Sequence, residues 1–500
     1  MLLISKIYLN FASKTTQQQH KMKTPLIGRK REKDLLTACI NSDKSELIAV
    51  YGRRRIGKTF LIKSFFEGKL DFYLTGSLNK KKKDMLVVFN EQLKEYSGRE
   101  HNVPSNWHEA FNQLKDYILT LQKETIIIFI DEISWLDTNN SGFLADFEYF
   151  WNSWASSYGK IKLIICASAT SWIINKFFAD RGGLHNRVTR AIGLMPFNLN
   201  ETEEFLNYKK VKFNRLDIAQ CYMAMGGVPF YLDMIDPRFG LTQNIDNLFF
   251  AEDGALRHEF DFLYRSLFKN YDFYVKIMEV ISRKNKGLTR STLIDELNLA
   301  KGGNLTMALR ELENCGFIRR YLPFGKKERD SIYQVVDFYT LFYLKFCKNR
   351  KENDPLFFSK LAGSTELSAW AGYSFEILCL HHLSQIKRQI GIGGVVTNVC
   401  SWATPPDREN GTDGAQIDLI IDRKDNTINL CEMKFSKTKY MISRKYFDTL
   451  NERAEIFRQK TKTNKSLHTT LITTLGVKKN MYYSAVQNEV VLDDLFEREM

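Results

Sequence analysis

The 500-residue chain has little proline and glycine, 9 and 28 residues respectively. That scarcity excludes fibrous and low-complexity classes. No apolar run approaches the roughly 18 residues that a membrane-spanning helix needs. The N-terminal run MLLISKIYLNF is short, is broken by Lys6, and precedes no signal-peptide cleavage pattern. Residues 1–24 therefore read as a disordered leader, with Met22 as an alternative start. None of the eight cysteines forms a CxxC pair, and most sit in apolar runs. That argues against a zinc site or disulfide framework and for reduced core thiols in a cytoplasmic protein. What the chain does have is 44% hydrophobic residues, 26% charged residues and a net charge of +14. The first two figures suit several globular cores. The third favours a polyanionic partner.

Length suggests several domains. Within 25–198, the apolar runs 46–51, 71–76, 125–131 and 162–168 alternate with helical segments. Continuous apolar strands separated by helices predict a parallel sheet covered on both faces. Residues 199–267 read as a helical lid, 268–350 as a winged helix, and 356–500 as a second α/β domain opening with a helix over 370–390. The expected fold class is thus α/β and multidomain.

Gly52-Arg53-Arg54-Arg55-Ile56-Gly57-Lys58-Thr59 fits GxxxxGK[ST], between the strand LIAVY and the helix TFLIKSFF. That context identifies a P-loop. Gly52 and Gly57 permit the turn that points backbone N–H groups at phosphate oxygens. Lys58 then serves the β- and γ-phosphates of ATP, and Thr59 ligates Mg²⁺. Asp131 and Glu132 end a buried strand. Asp131 completes the Mg²⁺ shell and Glu132 orients or deprotonates water. Ser168 and Thr170, at the end of another apolar strand, are candidate γ-phosphate sensors. Arg181, Arg187 and Arg190 are candidates to neutralise transition-state charge, with Arg187 first.

These motifs resemble the archaeal-type ATPases of the STAND/AAA+ group. In that group a P-loop ATPase precedes a winged helix and a C-terminal domain resembling PD-(D/E)xK nucleases. The matching pieces are IGRKRE (27–32), YGRRRIGKT (51–59), FIDEISWL (129–136), RGGLHNRVT (181–189), MPFNLNETEEF (195–205) and GGVPFYL (226–232). The resemblance implies that Gly28 and Arg29 lie near the adenine and that Gly227 and Pro229 form a lid turn over the nucleotide. An ATP-dependent homo-oligomer is a further expectation.

In the third region, 288–299 reads as a supporting helix with Thr289 as N-cap, Gly302-Gly303 as the turn and 304–318 as a recognition helix. A basic wing hairpin follows over 319–337. Lys301, Arg310, Arg319, Arg320, Lys326 and Lys327 are candidate contacts to DNA phosphates. Glu311 and Glu313 favour the rival reading, a winged helix used for protein packing.

In the last region, pairing Asp422 with Ile428 places Asp418 opposite Glu432, with Cβ atoms about 5 Å apart. Lys434 shares the face of Glu432, while Ile417, Leu419 and Ile421 take the other. Facing carboxylates suit Mg²⁺ or Mn²⁺. The resemblance adds Glu376, from the first helix, to this metal set, and Gln416 is a further neighbour. The leading expectation is an ATP-hydrolysing switch that binds DNA and cleaves it through Asp418, Glu432 and Lys434. The alternative is an ATP-switched DNA-binding regulator, or a STAND-type scaffold, whose C-terminal domain does not cut.

Overall fold

Strands β1 (Glu46–Tyr51), β2 (Phe72–Thr75), β3 (Ile126–Asp131), β4 (Ile161–Ala167) and β5 (Arg190–Gly193) form one parallel sheet in the order β2-β3-β4-β1-β5. The structure is a computed structural model that describes residues 24–179, 184–300, 302–348, 350, 353–406 and 414–498. The expected leader, Arg181 and Lys301 lie wholly or almost wholly outside the described residues. β3 and β4 are buried along their whole length, which accounts for their unbroken apolar runs. β5 has no such run. It is a short edge strand with one buried residue, Ile192, and sequence reading missed it. Helix Lys58–Phe65 follows β1, and helices Lys82–Ser97 and Trp107–Thr120 follow β2. The two sheet faces carry separate cores, one around Leu36, Ile62 and Phe66, the other around Trp107, Phe111, Phe143 and Phe147.

The region expected to be a lid is helical, from Leu199–Tyr208 to Glu259–Leu267. The region expected to be a winged helix has helices Tyr271–Ser282, Arg290–Glu296 and Gly303–Asn314, and strands β6 (Leu288–Thr289), β7 (Ile318–Tyr321) and β8 (Ile332–Val335) in the order β6-β8-β7. Thr289 caps its helix by accepting from the Thr292 N–H. Seven residues, Arg290–Glu296, are helical where twelve were expected, because Leu288–Thr289 form β6 at one end and Leu297 is the C-cap at the other.

The C-terminal domain begins with the short helix Phe357–Lys360, followed by helices Thr365–His381 and Leu383–Gln389 where one helix over 370–390 was expected. Its sheet contains β9 (Thr397–Thr404), β10 (Ala415–Arg423), β11 (Thr427–Lys434), β13 (Ser466–Thr473) and β15 (Asn488–Val491), ordered β15-β13-β11-β10-β9. β9, β10 and β11 are antiparallel, and β13 and β15 run parallel to β11. A separate parallel pair joins β12 (Tyr440–Met441) to β14 (Val477–Lys478). Helix Arg444–Thr461 covers one face of the large sheet.

The β10–β11 register is the expected one from Asp422↔Ile428 to Leu419↔Cys431. The facing differs. A bulge against β9 between Ile417 and Ile420 interrupts the alternation. Ile417 therefore packs with Ile420 under helix Arg444–Thr461, while Leu419 and Ile421 enter the opposite core.

That opposite core is continuous from the lid through the winged helix to the C-terminal sheet, running from Phe197 to Phe496. Phe342 lies near its centre, fully buried among Phe249, Phe346, Phe358 and Trp370. Asp246 of the lid caps the start of the last domain, accepting from the N–H groups of Phe358 at 2.8 Å and Ser359 at 3.1 Å. Phe342→Ala should therefore cost about 3–5 kcal/mol and destabilise the lid, winged helix and C-terminal domain together. Differential scanning calorimetry should show one lowered transition for these regions; separate shifts would mean that they are energetically independent.

Candidate functional site

The C-terminal ends of β1, β3 and β4 meet at the phosphate loop, the edge where open parallel sheets place ligands. Gly52 has φ 141°, and a Cβ there would lie 2.4 Å from the Leu194 carbonyl oxygen, so no other residue fits. Gly57 caps helix Lys58–Phe65. Lys58 is buried, and its Nζ donates to the carbonyls of Gly52 at 2.7 Å and Arg53 at 3.0 Å and to Ser168 Oγ at 3.1 Å. Burial lowers its pKa, because the charged form is desolvated; Glu132 and Asp131 oppose that shift.

Thr59 Oγ1 donates to Asp131 Oδ2 at 2.6 Å. A hydroxyl and a carboxylate in contact at the loop are a donor set that fits Mg²⁺. Burial raises the Asp131 pKa, and the Thr59 hydrogen bond works against it. Glu132 has φ 46°, a left-handed conformation that costs strain in a non-glycine residue. Its carboxylate accepts from the Ser168 N–H at 3.1 Å and from the Ser168 hydroxyl. Lys58, Thr59, Asp131, Glu132 and Ser168 thus form one connected group. Arg187 does not join it and lies exposed on a surface turn.

A cavity of about 700 Å³ opens beside Gly28 and Arg29, walled by Gly52, Tyr222, Cys315 and Phe338. That volume suits a small-molecule site. The Arg29 guanidinium is committed to protein, donating to Met195 O at 2.6 Å and Ile56 O at 3.0 Å and lying over Phe197. It braces the walls. Gly227 has φ 61°, and a Cβ would meet Phe197 O at 2.2 Å. Pro229 starts the next short helix, whose Phe230 N–H reaches Arg55 O at 3.4 Å, so the turn expected to serve as a lid touches the phosphate loop.

Sequence reading missed the loop's other attachments. Arg53 and Asp337 form an ion pair of 2.5 Å with side chains only 5% and 2% exposed. Asp337 lies two residues beyond β8 and also caps the next helix through the Thr340 N–H. Arg55 makes a two-point contact with Glu259 of the lid, 3.0 Å on each arm, and lies over Phe230. Tyr231 OH donates to the same carboxylate at 3.1 Å. The loop is therefore clasped to the winged helix by one arginine and to the lid by another. The triple arginine was the available signal, but nothing local names partners 284 and 204 residues away.

The wing differs from expectation. Phe324, near its tip, packs on Phe457, and its N–H donates to Ser401 O at 2.8 Å. Arg319 donates to Gln334 at 2.7 Å and lies over Tyr321, and Arg320 pairs with Glu328. Arg310, Lys326 and Lys327 are exposed. The hairpin tip docks on the C-terminal domain.

The C-terminal carboxylates lie on the expected elements but face cations. Asp418 pairs with Lys286 of the winged helix at 2.8 Å and accepts from Gln416. Glu432 accepts from Arg453 at 2.7 Å and Tyr446 OH at 2.8 Å, and Lys434 stands 3.4 Å away. Glu376 is pushed up to about 7, first by burial and next by the charge of Asp418. Among the described residues, no three His, Cys, Asp or Glu side chains converge to hold a metal. As arranged, Glu376, Asp418 and Glu432 do not fit one ion; local cations compensate their charge.

Residues 26–235 match a family described as an ATPase domain predominantly from Archaea. An uncharacterized protein of Methanocaldococcus jannaschii is 25% identical over 434 residues, covering 86% of this chain and 92% of that protein. An uncharacterized ATP-binding protein of the same archaeon is 51% identical over 43 residues, 9% of this chain and 73% of that protein. The Walker-type ATPase of Pyrococcus abyssi is a structural relative at a TM-score of 0.47 and 16% identity, over 65% of this chain and 99% of that one. With the loop, the Thr59–Asp131 pair and the Lys58–Ser168–Glu132 group in place, residues 26–235 are a P-loop ATPase domain of the archaeal type.

Proposed function

We propose that the protein is an ATP-hydrolysing switch that binds DNA, and that nucleotide occupancy of the loop repositions the lid and winged helix. The carrying observation is the double clasp, Arg53 to Asp337 and Arg55 to Glu259. Phosphates entering the loop present oxyanions to the same arginines that these carboxylates now hold. Lys58 exchanges neutral acceptors for the β- and γ-phosphates. Thr59 and Asp131 would hold Mg²⁺, which when bound would supply positive charge against that developing on the phosphates. Glu132, tied to Ser168, orients or deprotonates the attacking water. Arg187, exposed and away from this group, serves a phosphate in a neighbouring copy of an ATP-dependent oligomer.

DNA binding rests on the excess positive charge, and the regulator reading fits the carboxylates as arranged. A second reading, DNA cleavage by the C-terminal domain, is favoured by one observation. Asp418 and the pair Glu432–Lys434 occupy adjacent strands beside Glu376, whose carboxyl is held near neutrality. Mg²⁺ or Mn²⁺ would have to displace Lys286 and Arg453 first.

Lys58→Ala should lose nucleotide binding. Glu132→Gln should still bind ATP while its turnover falls by about 10²–10⁴; normal turnover would remove Glu132 from the chemistry. The clasp is tested separately. Asp337→Asn leaves Arg53 buried and unpaired, at about 3–5 kcal/mol. Hydrogen exchange over helix Gly303–Asn314 and β8 should then accelerate without nucleotide. A non-hydrolysable ATP analogue should have a similar effect on the wild type; unchanged exchange with the analogue would sink the switch. Cleavage is decided by incubating Lys286→Ala with plasmid and Mn²⁺. Nicking that disappears in Lys286→Ala/Asp418→Ala supports the second reading, and intact plasmid in both leaves the regulator.

A further inference from the structure

We infer that the phosphate backbone of a nucleic acid runs over the β12–β14 ladder and the start of helix Arg444–Thr461. This rests on the DNA-binding reading and places the principal contact away from the wing. The supporting charge is concentrated. Residues 434–479 contain twelve Lys and Arg against three Asp and Glu, a surplus of nine out of the chain's fourteen.

The fold gathers part of that surplus onto one surface. β12 and β14 pair in parallel, Tyr440↔Val477 and Met441↔Lys478. Strands so paired lie about 5 Å apart; by this register Lys439 stands level with Gly476 and Lys478 opposite Met441, so both belong to one short ladder, with Lys437 and Lys479 just beyond its two ends. Helix Arg444–Thr461 begins three residues beyond β12, with Ser443 accepting from the Tyr446 N–H at 3.2 Å, and adds Arg444 and Lys445. All six cations are exposed. Among the described residues, none of the six is in an ion pair. Several cations elsewhere in this half of the molecule are paired, Lys286 with Asp418, Arg320 with Glu328, Arg453 with Glu432 and Lys465 with Asp422.

The surface is also firm. Ile442, Leu471 and Val477 are buried beneath it, surrounded by Tyr440, Tyr446 and Tyr482. Asn480 Nδ2 donates to Ile442 O at 2.8 Å, and the Tyr440 N–H donates to Gly476 O at 2.8 Å. Six like charges held on a fixed platform repel one another, and a polyanion relieves that repulsion while releasing its own counterions. Met441 and Met481, 60% and 81% exposed, stand among the lysines and offer apolar contact to sugars and base faces.

A rod of phosphates fits this patch better than an anionic bilayer. The same helix presents Asp448, Glu452 and Glu455 to solvent in its next turns. A plane broad enough to cover the lysines would press on these acids; a narrow polyanion passes beside them. The patch adjoins Glu432 through Tyr446, whose ring meets Tyr440 at 5.7 Å.

The test uses the full chain and a fluorescent DNA duplex, titrated by anisotropy at several salt concentrations. Lys437→Glu/Lys439→Glu/Lys478→Glu/Lys479→Glu should flatten the log–log salt slope by about 3 to 4 and weaken binding at least about 100-fold at low salt. The ATPase rate should stay at the wild-type value and serve as the folding control. Should the reversal fail to fold, the matching Lys→Gln set should flatten the slope by about the same amount. Lys326→Glu/Lys327→Glu should change affinity less than about threefold, because the wing is docked. If the ladder variants bind like wild type while the wing variant loses binding, the inference is overturned and DNA binding stands. If wild type binds no duplex at any salt, DNA binding itself falls. Co-sedimentation with phosphatidylserine vesicles in place of DNA binding would assign the patch to a membrane surface and overturn the inference.

Discussion

Arg53 and Asp337 are both charged and both almost wholly removed from water, and they touch each other across 284 residues of chain. Burying a charge is tolerable only with a partner in place. Burial opposes the Arg53 charge, yet Asp337 more than compensates, and the Arg53 pKa is raised. Neither group can leave without exposing the other to a low-dielectric interior. A phosphate is the one alternative counter-charge that belongs at this loop. The pair therefore specifies geometry more than it adds stability. It fixes where the winged helix sits on the ATPase domain and so sets the alignment of everything packed behind it.

Much is packed behind it. The lid, the winged helix and one face of the C-terminal sheet share a single apolar core. Small packed cores transmit displacement instead of absorbing it. A shift of the winged helix is therefore felt by helix Thr365–His381 and by the strands beneath. Lys286 on Asp418 and Phe324 on Phe457 lie on the same route. Sequence reading divided the chain into regions ending near residues 198, 267 and 350. Such divisions say nothing about which apolar faces meet after the chain returns.

What could be read from the sequence follows the range of the interaction. The phosphate loop, the Asp131–Glu132 strand end and the β10–β11 register each depend on neighbours within a few residues or across one turn, and all three stand where the residues put them. β5 was invisible because one buried residue gives no periodic signal. The facing of Ile417 was misread because a period-2 rule fails at a bulge, and the bulge is set by β9, a strand that the sequence did not announce. The partners of Arg53 and Arg55 were beyond reach because both acids, Asp337 and Glu259, lie in segments whose local pattern explains them as helix caps or helix starts.

Net charge shows the same limit. A surplus of +14 states that a polyanion would be welcome somewhere. It does not say where, because a paired cation and a free one count equally in the sum. The wing appears basic by composition, yet Arg319 and Arg320 have protein partners and Phe324 anchors the hairpin. The β12–β14 ladder draws less notice because its lysines come from two segments more than thirty residues apart. Only the fold makes them neighbours. Pairing within the molecule subtracts charge from one region and leaves it standing in another, so the field a partner meets is decided by tertiary contacts.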